Sequence, residues 1–405
     1  MMIVADLHIH SRYSRACSTQ INIENLEKYA RIKGINLLGT GDFTHPLWYK
    51  ELKEKLKEED GILKTKNDFN FIWQTEVSLI YTQGDKGRRV HLVVLAPDSK
   101  AVDQITSYLG KKGRLDYDGR PIFKIPCPEF TEEMKKIDER IEIIPAHIWT
   151  PWFSVFGSNS GFNSLKDCFQ DQVKNIHAIE TGLSSDPEMN WRISELDSKA
   201  IVSFSDMHSF WPWRIGREVT VFDTKPTYDN LIKAIRNKKI KETIDVDPAY
   251  GKYHYDGHRA CNIVFSPKES KNHNNICPVC KNKLTIGVEN RVEELADRPA
   301  GFKPENAVPF KRIIPLSELI SLTTKKAIAT QAVWNEYHKL ADGKSEFDVL
   351  LNAPLEELKQ KVFMELAELI IRNREGKIKV KPGYDGVYGI PLLSDEGSQK
   401  SLAEF

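Results

Sequence analysis

Met2-Ile3-Val4-Ala5-Asp6-Leu7-His8-Ile9-His10 stands at the start of the sequence. A short apolar run favouring a strand ends in two imidazoles. On a strand, residues i and i+2 point the same way, so His8 and His10 can converge on one cation. About two hundred residues later, Ala200-Ile201-Val202-Ser203 leads into Ser205-Asp206-Met207-His208, a second apolar run closing on a ligand pair. Between them the pattern recurs. Asp42 follows Ile35-Asn36-Leu37-Leu38, Glu76 follows Phe69-Asn70-Phe71-Ile72-Trp73, His91 abuts Leu92-Val93-Val94-Leu95, and His147 follows Ile141-Glu142-Ile143-Ile144. One His-x-His is weak evidence, because chance supplies many. The same ligand types at one strand end after another are strong evidence, and the chain reads as a metalloenzyme.

Residues 2 to about 222 alternate short strands with helices. Strand candidates are 3–7, 36–39, 69–74, 90–95, 142–146, 178–180, 200–203 and 218–222. The first helix, Ile23 to Lys33, carries an apolar stripe of Ile23, Leu26, Ala30 and Ile32 and stops at Gly34. Helix is next expected from Leu47 to Leu56. The alternation predicts an α/β fold, a distorted parallel β/α barrel, with active-site residues at the C-terminal ends of its strands. His8, Asp42, Glu76, His147, Glu180 and Asp206 fall there. The polar connection from Pro97 to Thr131 is long enough to be functional or to hold elements of its own. The expected organisation is a metal-dependent barrel over 1–245, a zinc-binding domain over 246–305, a helical DNA-binding domain over 306–395 and a tail over 396–405. In the helical part, helices are expected over 316–322, 325–340 and 355–373.

Composition narrows the class. At 405 residues the chain is long enough for two or three domains, and 40% hydrophobic with 28% charged residues describes a globular protein. No apolar run approaches the roughly 20 residues of a membrane span, and a strand-like start leaves no room for a signal peptide. A cytoplasmic setting is expected. The net charge of +1 announces no nucleic-acid partner, although Lys225 to Lys252 and Lys377 to Lys381 are locally basic. Taken alone, either patch is more simply a solvated face. Aromatic loops at 148–157 and 210–214 could stack on nucleobases or form a lid or domain contact.

The ordered set Asp6-Leu7-His8-Ile9-His10-Ser11, Gly41-Asp42, Glu76, His91, Ala146-His147 and Ser205-Asp206-Met207-His208 resembles the polymerase-and-histidinol-phosphatase (PHP) family of metal-dependent phosphoesterases. The resemblance implies that His8, His10, Glu76, His91, His147, Asp206 and His208 bind two or three divalent metals, with Glu76 bridging. Asp42, Glu76 and Asp206 are the implied catalytic acids, Asp42 as ligand or as orienter of a ligand. Zinc, manganese, iron or magnesium would suit such donors, and the metals would activate water for in-line attack on phosphorus. The chain departs from the family at Gly41-Asp42-Phe43-Thr44-His45, where Phe43 holds a usual ligand position and His45 is the nearest substitute. It also has Ser14-Arg15-Ala16-Cys17 where a later His is usual.

His258-x2-Cys261, then Cys277-x2-Cys280, has the spacing of a structural zinc ribbon. His254 and His273 are alternative fourth ligands. A PHP-like segment followed by this ribbon, with Arg291-Val292-Glu293-Glu294-Leu295-Ala296-Asp297-Arg298-Pro299 after it, looks like the endonuclease Q family of DNA-repair nucleases. That resemblance implies nicking 5′ to deaminated bases and at abasic sites, with the lesion base flipped into a pocket. Candidate DNA or base contacts are Arg12, Trp149, Trp152, Phe153, Phe210, Trp211 and Arg214. Gln399, Leu402 and Phe405 match the start of a sliding-clamp interaction box. Two other readings stand beside this one: a PHP-type phosphatase on a small monoester, and a non-catalytic DNA-binding or scaffolding protein with a decayed metal site.

Overall fold

The helix over Ile23–Lys33 forms where its sequence places it. Asn22 caps it by accepting from the Asn25 N–H at 2.8 Å, Ile23, Leu26 and Ala30 face the core, and Gly34 closes it at φ 101°. This computed structural model describes residues 1–393, so the clamp-like Gln399, Leu402 and Phe405 lie outside the described residues.

Strand Met2–Asp6 sits within an eight-stranded sheet. It runs parallel to Leu37–Gly39, which is parallel to Asn70–Ile72. On its other side it is antiparallel to Val219–Asp223, with Ala5 opposite Thr220. That strand is antiparallel to Glu242–Asp245, and Phe310–Arg312 adds a parallel edge. A second sheet of four strands is built on the hairpin Gln74–Gln83 and Lys86–Leu95, with Glu142–Pro145 antiparallel to the latter and Ile122–Phe123 parallel to the former. Ala178–Glu180 and Ala200–Val202 form a parallel pair.

The architecture is therefore mixed α/β, and the expectation of an all-parallel arrangement is corrected. The cause is local. Gly84 and Asp85 both take positive φ, at 58° and 57°, the backbone of a tight two-residue hairpin turn that joins antiparallel strands. The expected strand at 90–95 is only the apolar half of a ten-residue strand whose start, Lys86-Gly87-Arg88-Arg89, is polar. Glu76 and His91 consequently lie within strands and not at their C-terminal ends.

The connection after Pro97 holds the helices Ser99–Lys112, capped by Asp98, and Cys127–Ile137. In the C-terminal part, Leu316–Thr324 stops at Lys325 in the left-handed region, and helix resumes only at Gln331. The expected helix over 355–373 breaks at Val362 and Phe363 into Leu355–Lys361 and Met364–Arg374, and Glu346–Leu351 is an additional helix. Backbone pairing crosses the expected boundaries. Phe310–Arg312 completes the first segment's sheet, and Gly383 exchanges backbone bonds with Ala249 and Tyr255 at 2.8 and 3.0 Å. No helix of the described residues is long and apolar enough to cross a membrane.

Candidate metal centre

Asp6 ends its strand fully buried and accepts from the Ser205 N–H at 3.0 Å, the Ser205 hydroxyl at 2.5 Å and the Gly216 N–H at 2.9 Å. The His10 N–H donates to Met207 O at 3.2 Å. Asp6 thus stitches the two hallmark runs together and delivers His8 and His10 opposite Asp206.

One nitrogen of each of three imidazoles, those of His8, His10 and His147, is engaged from behind. His8 Nδ1 is 2.9 Å from Glu180 Oε1, and Glu180 Oε2 accepts the His147 N–H at 2.7 Å. His10 Nδ1 is 3.0 Å from Asp42 Oδ1, while Asp42 Oδ2 accepts from the Ser11 N–H and hydroxyl at 2.6 and 2.7 Å. His147 Nδ1 is 3.2 Å from Ser154 Oγ. Backing of this kind fixes tautomer and ring direction. It turns His8 Nε2 toward Glu76 and Asp206, each at 3.6 Å. His10 Nε2 faces Asp206 Oδ1 at 3.0 Å and Glu76 Oε2 at 3.3 Å.

Two groups of donor atoms result, each within 4.8 Å of one another: His8, His10, Glu76 and Asp206, and Glu76, His91 and His147. Glu76 belongs to both. His91 Nδ1 and His147 Nε2 lie 2.9 and 3.3 Å from Glu76 Oε1. Yet His8 Nε2, His91 Nδ1 and Glu76 Oε1 are buried without a hydrogen-bond partner. Buried nitrogen and oxygen atoms left unpaired and converging on shared points fit divalent cations held by such donors.

The charges are strongly coupled. Burial opposes a charged His8, but Glu180, Glu76 and Asp206 outweigh it and raise its pKa well above the imidazole range. Burial likewise opposes the Glu76 carboxylate, and His91, Arg120 and His8 hold its pKa well below the usual range. His91 is pushed down to about 4 by burial, with Arg120 and His147 adding to the effect against the pull of Glu76. Three of the site's residues carry left-handed backbone, Asp42 at φ 41°, His147 at 31° and Asp206 at 45°. Such conformations cost about 1–3 kcal/mol each and collect at functional sites.

Several sequence-predicted residues are placed differently. Asp42 is the exception: it backs His10 from outside both donor groups, the orienter of its two expected roles. The His208 ring lies 4.8 Å from the His10 ring, tilted 55° to it, but also stands outside them, its Nδ1–H donating to Asp206 O at 2.9 Å. His45 stacks on Tyr13 at 4.2 Å, and Phe43 is core, edge-on to Trp73. Trp149 is wholly buried with its Nε1–H on Asn190, and Phe210 is buried, so neither ring presents a face to a base. Arg12 is bound to Glu51 and Ile21 O. Trp152, Phe153, Trp211 and Arg214 are half-buried, with Trp211 stacked on Trp213 and Phe153 against His91.

Sequence reasoning missed Arg120. Its Nη1 lies 3.0 Å from Glu76 Oε2, the one guanidinium bonded to the donor groups among the described residues. The segment reaches there because a Cβ on Gly119 would collide with Asp42 Oδ2 and Ser14 Oγ. The glycine was visible in the sequence, but its neighbour across the fold was not.

The ribbon residues also meet. His258, Cys261, Cys277 and Cys280 form a third donor group within 4.8 Å, with His258 Nδ1 3.6 Å from Cys280 Sγ. The Cys280 and Val279 N–H groups outweigh burial and lower the Cys277 thiol to about 7. His254 lies 3.2 Å from Glu289, and His273 stacks on Phe265, so both stand outside the group. Soft thiolates with one imidazole, four donors within reach of one point, suit tetrahedral zinc.

Comparison with known proteins agrees. Residues 315–377 match the family model MJ0043 C-terminal domain. Over 250 residues the chain is 37% identical to the uncharacterised protein MJ0043 of Methanocaldococcus jannaschii; this covers 60% of the chain and spans 31% of that longer relative. Over 411 residues it is 28% identical to the uncharacterised protein YqxK of Bacillus subtilis, covering 96% of this chain and 98% of that one. Among solved structures, the lesion-specific endonuclease PfuEndoQ of Pyrococcus furiosus superposes with a TM-score of 0.87 at 32% identity, covering 98% of this chain and 96% of that one. An endonuclease Q bound to a 27-mer duplex substrate, with an abasic lesion at its active site, superposes with a TM-score of 0.88 at 31% identity over 100% of both chains. A match of this extent leaves no segment of the described fold unaccounted for, and the chain belongs to the endonuclease Q family.

Proposed function

We propose that this chain is a metal-dependent DNA-repair endonuclease that hydrolyses the phosphodiester 5′ to deaminated bases (uracil, hypoxanthine, xanthine) and abasic sites. The carrying observation is the buried centre of His8, His10, Glu76, His91, His147 and Asp206, in a chain whose full-length structural relatives include an endonuclease Q complexed with lesion-bearing duplex DNA. When bound, divalent metals supply Lewis-acid polarisation of the phosphate and a water made acidic enough to attack it. The protein's part is placement. Glu180 and Asp42 orient His8 and His10, Glu76 joins the two donor groups, and Arg120 sets a fixed positive charge where anionic oxygens gather. His208, bonded through Nδ1 to Asp206 O, would supply a further ligand through its other ring nitrogen. The ribbon zinc is structural. Cytoplasmic DNA would be the substrate, and the half-buried Trp152, Phe153, Trp211 and Arg214 are the candidate contacts.

The test uses a 5′-labelled duplex with one deoxyuridine or deoxyinosine and manganese or magnesium. A single cut on the 5′ side of the lesion, absent from undamaged duplex, is expected. No cut, together with phosphate release from small monoesters, would overturn the reading in favour of a phosphatase.

A further inference from the structure

Two residues before Glu76 on the same strand stands Gln74, wholly buried and outside both donor groups. Residues i and i+2 of a strand present their side chains to one face, so Gln74 shares the face of Glu76. Its backbone is pinned by one hydroxyl. The Gln74 N–H donates to Thr40 Oγ1 at 3.0 Å, and that hydroxyl donates to Gln74 O at 3.1 Å. The side-chain oxygen reaches two segments at once: Oε1 accepts the Gly41 N–H at 3.0 Å and the Ile9 N–H at 3.3 Å. Both partners are donors, which assigns the oxygen to that end of the amide and the nitrogen to the other. Nε2 is buried with no partner among the described residues. Two glycines make the reach possible. A Cβ on Gly39 would stand 2.6 Å from Gln74 Oε1. One on Gly41, at φ 67°, would press on Ile9 O, His10 C and Ser11 N at 3.1, 3.2 and 3.2 Å. The run carrying His8 and His10 and the turn carrying Asp42 are therefore in backbone contact. Asp42 ties them by accepting from the Ser11 N–H beyond His10, and Gln74 ties them at Ile9 before it.

We propose that Gln74 is a positioning residue of the metal centre. Its amide oxygen sets the spacing between the His8–His10 run and the Asp42 turn, and through it the direction of His10 toward Glu76 and Asp206. The backbone on each side of His10 is then fixed, by Gln74 at Ile9 and by Asp42 at Ser11, and Gln74 also holds the peptide that leads into Asp42. The amide leaves a buried N–H2 unmet, which is costly. Methionine would fill a similar volume without that cost, but would leave the Ile9 and Gly41 N–H groups without an acceptor. Those two groups sit next to a candidate ligand and next to the acid that backs it, so losing their acceptor loosens the centre itself. The inference rests on the metal centre of the reading above and not on the identity of its substrate.

The experiment compares the full chain with Gln74→Met, Gln74→Glu and a control, Tyr337→Phe, which removes a buried hydrogen bond to Glu346 in the C-terminal helices. Manganese affinity is measured by chelator competition on protein loaded with zinc at the ribbon, beside circular dichroism and thermal melting. Gln74→Met is expected to weaken manganese binding about 10- to 100-fold with secondary structure kept. Gln74→Glu, which keeps an acceptor for both N–H groups, should bind at the parent's level or above. Tyr337→Phe should bind as the parent does, even where its melting temperature falls as far. Cutting of the deoxyuridine duplex by Gln74→Met should return at saturating manganese, a raised metal requirement with little change in kcat. Parent-like binding in Gln74→Met overturns the proposal, as does a loss in Gln74→Glu equal to that in Gln74→Met. Equal weakening in Tyr337→Phe also overturns it, because the loss would then follow stability and not placement. If Gln74→Met does not fold, Gln74→Asn, whose shorter arm cannot span both donors, carries the same expectation and the same overturning result. Manganese binding that depends on Gln74, with no cut by the parent, leaves the proposal standing and removes the endonuclease reading. A parent that binds no manganese beside its ribbon zinc removes both.

Discussion

Glu180 shows how much of the centre depends on residues that touch no metal. Its two oxygens hold His8 Nδ1 at 2.9 Å and the His147 backbone at 2.7 Å, so one carboxylate sets the direction of two candidate ligands. Glu180→Gln keeps the shape but leaves one oxygen and one N–H2 for two donors. Metal affinity at the centre should fall about 10- to 100-fold with the fold intact, the usual cost of losing a partner behind a ligand. Chelator competition and circular dichroism check this; unchanged affinity would mean that the bond to His8 is ornamental. Asp42 plays the same part behind His10. The sequence showed both acids at strand ends but could not say which faced the cation, because that is settled by the rings in front of them.

At the scale of elements, the ribbon is a set of short pieces that cannot bury a core. Strands Asp256–His258 and Ile263–Phe265 are three residues each, and the Cys277–Cys280 knuckle is tied mainly by Cys277 N to Asn282 O at 2.8 Å and Lys281 N to Cys277 O at 3.0 Å. Free energy of metal binding, with zinc the metal this donor set suits, would therefore serve as free energy of folding here. Cys277→Ala should release zinc and lower the melting temperature, and a strong chelator should do the same to the parent chain. A normal melting profile with zinc lost would show that the ribbon stands without its metal. The hairpin Gln74–Gln83 and Lys86–Leu95 teaches the opposite lesson: regular pairing over ten residues was half hidden because one end is charged, and the Gly84-Asp85 turn was its plainest signal.

Over the whole molecule, the C-terminal helices are fastened to the N-terminal part by a buried ion pair. Lys33 Nζ lies 2.7 Å from Glu346 Oε1 and donates to Pro212 O at 2.8 Å, while Glu346 Oε2 accepts the Tyr337 hydroxyl at 2.7 Å. Lys33 is 1% exposed, so Glu346→Ala strands a buried cation and should destabilise the protein by about 3–5 kcal/mol. Replacing both partners, Lys33→Met with Glu346→Leu, should recover much of that loss. Chemical denaturation of the two variants measures it, and equal loss in both would mean that cavity formation, not the unpaired charge, sets the cost. Because the pair also grips Pro212, it ties these helices to the aromatic loop that follows Asp206 and His208.

The chemistry was legible in the chain alone: imidazoles and carboxylates placed after short apolar runs, a Cys-x2-Cys knuckle with a His-x2-Cys partner, and the first helix from Ile23 to Lys33. These are legible because they depend on spacing within a few residues and on strand and helix periodicity. Which acids back a ligand and which face the donor groups emerged only from the folded arrangement. It also brought Arg120 across from a distant segment, put Trp149 and Phe210 inside, paired the strands in mixed directions and buried Lys33 at the end of an otherwise amphipathic helix. All of these are set by contacts between residues tens to hundreds of positions apart, whose energies depend on burial and on partners that no local pattern records.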